Sequence, residues 1–175
     1  MKKNKLAFID IETTGLNVIK HEIIEIGCVI ATPEFEFIEE FELKIKPERI
    51  EDADPTSIKI NHYKEEEWQN AISLEEAMKI LSEKTRGCIM VGQNVAFDSL
   101  FLEYNFNKLG ITNEMHYHKL DTISIAWAKL HREPDLTHFS LREMCVRFGI
   151  SNKHSHTGLS DAHATYELYK KLMAI

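Results

Sequence analysis

Apolar and polar positions divide the chain into two unlike halves. In the first, short apolar runs rich in β-branched residues alternate with turn signals and predict strands at 6–11, 22–32 and 35–47, the last two parted by Pro33 and Glu34. Short connections between them imply an antiparallel meander. Residues 47–61 form a charged, irregular connection in which Asp54 and Pro55 open a helical turn. In the second half the period changes. Leu74, Ala77, Met78 and Leu81 share a helical face, with Ser73 as cap and Glu76 in capping-box position. A short strand at 88–94 runs into a helix marked by Phe97, Leu100, Phe101, Tyr104 and Leu109 and stopped by Gly110. A fifth strand lies within 116–122, a helix starts at Asp121, another is capped by Ser140 and closed by Gly149, and the last follows Gly158. Strands first, then strands alternating with helices, predict an α/β fold: a mixed five-stranded sheet, its first three strands antiparallel, flanked by helices. The 175 residues are expected to form a single domain, 1–175, with a core that needs no staples.

Composition narrows the class without deciding it. Apolar content of 43% and charged content of 28% are those of an ordinary globular chain. Neither a signal peptide nor a membrane span is expected, because acids enter the first apolar stretch almost at once. Cys28, Cys88 and Cys145 are odd in number, widely spaced and set among apolar residues, which suits reduced core thiols and a cytoplasmic setting. The net charge of −7 is unevenly spread: residues 34–76 carry −9, and the remainder +2. That excludes a broadly basic duplex-binding face. It leaves room for a short phosphate-bearing ligand docked through metal ions.

The first strand carries the chemistry. Asp10 and Glu12 are two apart, so they share one face of an apolar strand. Carboxylates so placed repel each other unless a cation, proton or base lies between them; a solvated strand end is the bland alternative. Thr13, Thr14 and Gly15 then break the strand, with backbone N–H groups and hydroxyls beside whatever the acids hold. Asp98 opens a helix leaving a buried strand and reads on its own as an N-cap; Asp121 reads as a cap that could also support a site. Asp161 lies in the first turn of the last helix, five residues after His156. His154 and His163 are close in sequence and raise zinc as an alternative, but His163 points to another helix face. With carboxylate donors and no cysteine nearby, Mg²⁺ or Mn²⁺ fits better.

Together these segments resemble the DnaQ-like 3′–5′ exonucleases, the histidine branch of the DEDD superfamily with a ribonuclease H-like fold. The first family motif matches at Asp10, Glu12, Thr13, Thr14 and Gly15, the second at Asn94, Phe97 and Asp98, and the third at His156 and Asp161. The tyrosine branch would need its base at position 157, where this chain has Thr157. One departure stands out: where members often carry Asn-Gly-Ile, this chain has Asn61, His62 and Tyr63 after Ile60.

The resemblance implies two divalent ions held by Asp10, Glu12, Asp98 and Asp161, with His156 as general base. It implies release of nucleoside 5′-monophosphates from single-stranded 3′ ends, DNA ahead of RNA. Thr13, Thr14, Gly15, Ile60, His62, Asn94 and Phe97 would line the terminal nucleotide's pocket. A DNA polymerase is a candidate partner. A catalytically silent binding module and a phosphodiesterase for small nucleotides are the rival classes.

Overall fold

The computed structural model describes residues 3–152 and 155–175. One five-stranded sheet runs through it in the order β3-β2-β1-β4-β5, built from β1 (Leu6–Thr13), β2 (Ile23–Ala31), β3 (Phe37–Lys44), β4 (Ile89–Gly92) and β5 (Lys119–Asp121). The β1–β2 and β2–β3 pairs are antiparallel, and β1–β4 and β4–β5 are parallel. The expected mixed sheet is therefore present. Around it lie α1 (Pro55–Ile60), α2 (Leu74–Lys84), α3 (Val95–Leu109), α4 (Thr122–Leu130), α5 (Leu141–Phe148) and α6 (Gly158–Met173).

Alternation along β1 assigns its faces. Ala7, Ile9 and Ile11 pack with Met78 and Leu81 of α2 and Phe101 of α3. Leu6 and Phe8 point the other way, into a cluster with Ala162, Tyr166 and Tyr169 of α6. Phe8 meets Tyr166 and Tyr169 edge-on at ring-centroid distances of 5.2 and 5.5 Å. Contacts of this kind add about 0.5–1.5 kcal/mol each beyond area burial. Continuing in steps of two, Asp10 and Glu12 fall on the side covered by α6. The aromatic packing thus sets the last helix over the acidic end of the strand.

Several local expectations need correction. β1 runs through Thr13 before it bends, with a register shift between Glu12 and Thr13. β3 is shorter than the pattern implied: Phe35 turns at φ +69, and Ile45, whose N–H still donates to Ile24 O at 2.8 Å, bridges Ile72. Asp98 is not an N-cap. Asn94 occupies that position at φ +63, and the N–H of Val95 is received by Asp121 Oδ2 at 3.1 Å. Asp121 also caps α4 as expected, accepting from Ile123 N at 2.8 Å, so one carboxylate fixes two helix starts. Leu100 is 53% exposed because the core side of α3 is rotated toward Asp98, Phe101, Leu102, Asn105 and Phe106. The three cysteines are free and buried, and no helix among the described residues is long and apolar enough to cross a membrane.

Candidate active site

Asp10 and Glu12 face across β2 to Gly27 and Glu25 respectively. Gly27 leaves room for the last helix: a methyl there would overlap the carbonyl carbon of Gly158 and the amide nitrogen of Leu159. A methyl on Gly158 would in turn lie 2.8 Å from Gly27 N and 3.1 Å from the Asp10 carbonyl oxygen. Two facing glycines therefore let the first turn of α6 press onto the sheet. Buried Glu25 secures it, its Oε1 accepting from Gly158 N at 2.5 Å.

That docking brings Asp161 to the strand. Its Oδ2 accepts from His156 N at 3.0 Å and its Oδ1 from Asn152 Nδ2 at 2.6 Å. His156 is exposed, in a left-handed backbone conformation at φ +68 that turns the chain back toward β1. Donor atoms of Glu12, His156 and Asp161 lie within 4.8 Å of one another. Asp98 arrives from α3, buried, its Oδ1 accepting from Ile11 N at 3.0 Å. The structure thus gathers the five residues singled out for catalysis from β1, α3, the 155–157 turn and α6. His163 pairs with Glu40 at 2.7 Å on the β3 side, pointing away as expected. His154 lies outside the described residues.

Electrostatics show what such a cluster lacks. Burial lifts the Asp10 carboxyl well above the usual range, with Asp98, Asp161, Glu12 and Glu25 pushing the same way. Burial, then Asp161, Glu25 and Asp98, raises Glu12 to about 8. Asp98 is pushed up to about 7, chiefly by burial, which the bond from Ile11 N opposes. Glu25 also rises to about 7, through burial and neighbouring Glu42. Without a cation, several of these groups hold protons at neutral pH. Hard divalent ions would replace those protons, and the oxygen-rich donor set fits them.

The substrate-side residues divide. Thr13 and Thr14 are buried, and their hydroxyls serve the turn: Thr13 Oγ1 donates to Gly15 O at 2.8 Å, and Thr14 Oγ1 accepts from Glu22 N at 2.9 Å. Hydroxyls expected to face a ligand are thus engaged internally. The Thr13 carbonyl receives Asn61 Nδ2 at 3.0 Å, and the Thr14 carbonyl receives Asp54 N at 2.7 Å, which seats α1 against Thr13–Thr14. Ile60 and His62 flank buried Asn61 and are both exposed, His62 at φ +56. That conformation strains any residue with a Cβ and suits the glycine common in the family motif. Phe97 is half-buried against Phe101, with ring centroids 5.1 Å apart. His156 and Asp161 also line a groove of about 580 Å³, together with Arg142, Cys145 and Asn152.

Sequence reasoning missed Glu25, Gly27 and Asn152. An acid inside the apolar 22–32 strand was a legible signal for Glu25. Gly27 and Asn152 matter only through partners 131 and 9 residues away, and nothing local marks them.

At one end of this sheet four acids converge beside a histidine, an oxygen-rich donor set that hard divalent ions fit. The chain belongs to the RNase T-type exonuclease family, whose model matches residues 7–169. It is accordingly a DnaQ-like exonuclease domain with the ribonuclease H-like fold. It is 32% identical over 164 residues to a PolC-type DNA polymerase III of Caldanaerobacter subterraneus subsp. tengcongensis, covering 94% of this chain but 11% of that one. A solved structure of exonuclease I superposes with a TM-score of 0.85 at 20% identity, covering 98% of this chain and 41% of the other. The zinc-bound form of the E. coli exonuclease I complex with single-stranded DNA gives 0.82 at 20% identity, with coverage of 98% and 41%.

Proposed function

We propose that this domain is a 3′–5′ exonuclease that removes nucleoside 5′-monophosphates from single-stranded 3′ ends, with DNA as the preferred strand. The observation that carries the reading is the convergence of Asp10, Glu12, Asp98 and Asp161 with His156 in a chain of the exonuclease family. Asp10, Glu12 and Asp161 would hold one divalent ion, and Asp10 with Asp98 a second, Mg²⁺ or Mn²⁺ by the hardness of their oxygens. When bound, such ions activate water and stabilise the departing 3′ oxygen. The chain's own part is then orientation and proton transfer. His156, exposed beside Glu12 and Asp161, takes the proton from the attacking water. The buried turn at Thr13 and Thr14, Gly15, α1 with Ile60 and His62, and the Asn94–Phe97 segment form the wall against which the terminal nucleotide is held.

The preference for DNA draws support from the PolC-type polymerase among the relatives and from the exonuclease I complex with single-stranded DNA. In the polymerase relative the matched stretch is about a tenth of a much longer chain, so a DNA polymerase is the natural partner to test. Three buried free thiols suit a reducing cytoplasm.

The test is a time course with 5′-labelled DNA and RNA oligonucleotides of one sequence, Mg²⁺ or Mn²⁺, and Asp10→Ala as control. Shortening from the 3′ end, faster on DNA and abolished by Asp10→Ala, is the expected result. Faster trimming of RNA would reassign the substrate. Binding without cleavage of either strand would replace the enzyme by a binding module.

A further inference from the structure

We propose that Asn152 is a positioning residue for the metal-binding carboxylate of Asp161, and that Ser160 sets its sense. This rests on the exonuclease reading in that it takes Asp161 as a metal ligand. Asp161 has two carboxylate oxygens and about four lone-pair directions. Two are occupied by donors from the same loop, Asn152 Nδ2 on Oδ1 and His156 N on Oδ2. The pair of bonds, at 2.6 and 3.0 Å, fixes the plane of the carboxylate and, among the described residues, leaves one direction on each oxygen free.

The amide's orientation is set at its other end. Ser160 Oγ donates to Asn152 Oδ1 at 2.9 Å, so the oxygen faces the serine and the NH₂ must face Asp161. Ser160 and Asp161 are consecutive on α6, so the helix that carries the ligand also carries the group orienting its clamp. A neutral donor suits this place better than a cation would. Lysine or arginine would neutralise Asp161 and compete with the metal, whereas an amide directs the carboxylate and leaves its full charge available. Asn152 also lines the groove beside His156 and Asp161, so the clamp stands at the mouth of the site.

Mn²⁺ binding to the full chain, read from the loss of the free-ion EPR signal, tests the assignment independently of turnover. Asn152→Ala is expected to raise the Mn²⁺ concentration at half-saturation by about 10- to 100-fold, the usual effect of removing a partner of a metal ligand. Ser160→Ala removes only a hydroxyl from a half-buried helix position, so it keeps the fold even if the first variant does not, and it should shift half-saturation in the same direction by a smaller factor. Oligonucleotide cleavage at saturating Mn²⁺ should recover most of the wild-type kcat in both, which a general loosening of the loop would not allow. Wild-type binding with half-saturation unchanged in both variants overturns the assignment and leaves the exonuclease reading intact. A wild-type protein that binds no Mn²⁺ overturns both.

Discussion

Removing metal should make this fold sensitive to mild alkali. Glu12 titrates near 8 when folded, against 4.5 for an ordinary glutamate, and Asp98 and Glu25 titrate near 7. Between those limits the folded chain keeps protons that the unfolded chain has released. Their stabilising effect is complete below the ordinary carboxylate range and is lost as pH rises through the folded values. A proton held only by the folded chain loses about 1.4 kcal/mol of stabilising effect for every pH increment of one, so going from pH 6 to pH 8 costs about 2 kcal/mol through Glu12 and about 1 through each of Asp98 and Glu25. Because these groups repel one another their losses overlap, and a net of about 2 kcal/mol lowers the melting temperature of a chain this size by roughly 4–8 °C. A divalent ion reverses the trend by replacing the protons, and at a hundred times its Kd it contributes about 2.7 kcal/mol. Thermal melts in EDTA and in Mg²⁺, at pH 6 and pH 8, measure both effects. The chelated protein should melt lower at pH 8, and the gain on adding Mg²⁺ should be larger there. An EDTA midpoint that is flat or rises from pH 6 to pH 8 would refute the electrostatic account of the site, as would a metal gain that is equal at both.

Gly27→Ala should lift the start of α6 from the sheet and loosen the Glu25–Gly158 bond, costing about 1–3 kcal/mol in a chemical melt. The same displacement should cut kcat by about two orders of magnitude, since an ångström of misplacement is worth that much; a variant with full kcat would show that the facing glycines are irrelevant to catalysis. Asn61→Ala leaves the Thr13 carbonyl without its donor, with an expected loss of about 1–2 kcal/mol in melts and a raised KM on short oligonucleotides. His62→Gly relieves the left-handed backbone and should stabilise by up to about 1 kcal/mol in the same melts. A rise in KM alongside that gain would identify a substrate contact by the imidazole.

Much of the architecture was legible because local signals and tertiary contacts agree. Ser73, Ser140 and Asp121 cap the helices they were expected to cap, and Gly110 and Gly149 close theirs in left-handed conformations. The two-residue step from Asp10 to Glu12 fixed their common side before any partner was known. The family spacing then led to Asp98, His156 and Asp161, which no periodicity singles out. Failures came where a residue's role depends on a distant partner. Asp98 looked like a cap because helix-start acids usually are, yet its bond runs to Ile11, 87 residues away. The hydroxyls of Thr13 and Thr14 also serve the turn itself, Thr13 Oγ1 donating to Gly15 O and Thr14 Oγ1 accepting from Glu22 N, which no local pattern in the sequence announces. Leu100 fitted the apolar stripe of its helix, but a buried carboxylate at Asp98 turned that stripe partly outward.

The bond between Glu25 and Gly158 spans 133 residues, and it has a meaning in time as well as in space. Chain growth at about 5–20 residues per second puts roughly 7–27 seconds between the appearance of those two residues. During that interval the β1–β2–β3 meander can pair from local contacts, with Asp10 and Glu12 already in place. Neither His156 nor Asp161 exists yet. On the proposed exonuclease reading, a nascent chain with an exposed acidic strand would cut no nucleic acid near the ribosome, and competence would come only when the last helix closes over the sheet.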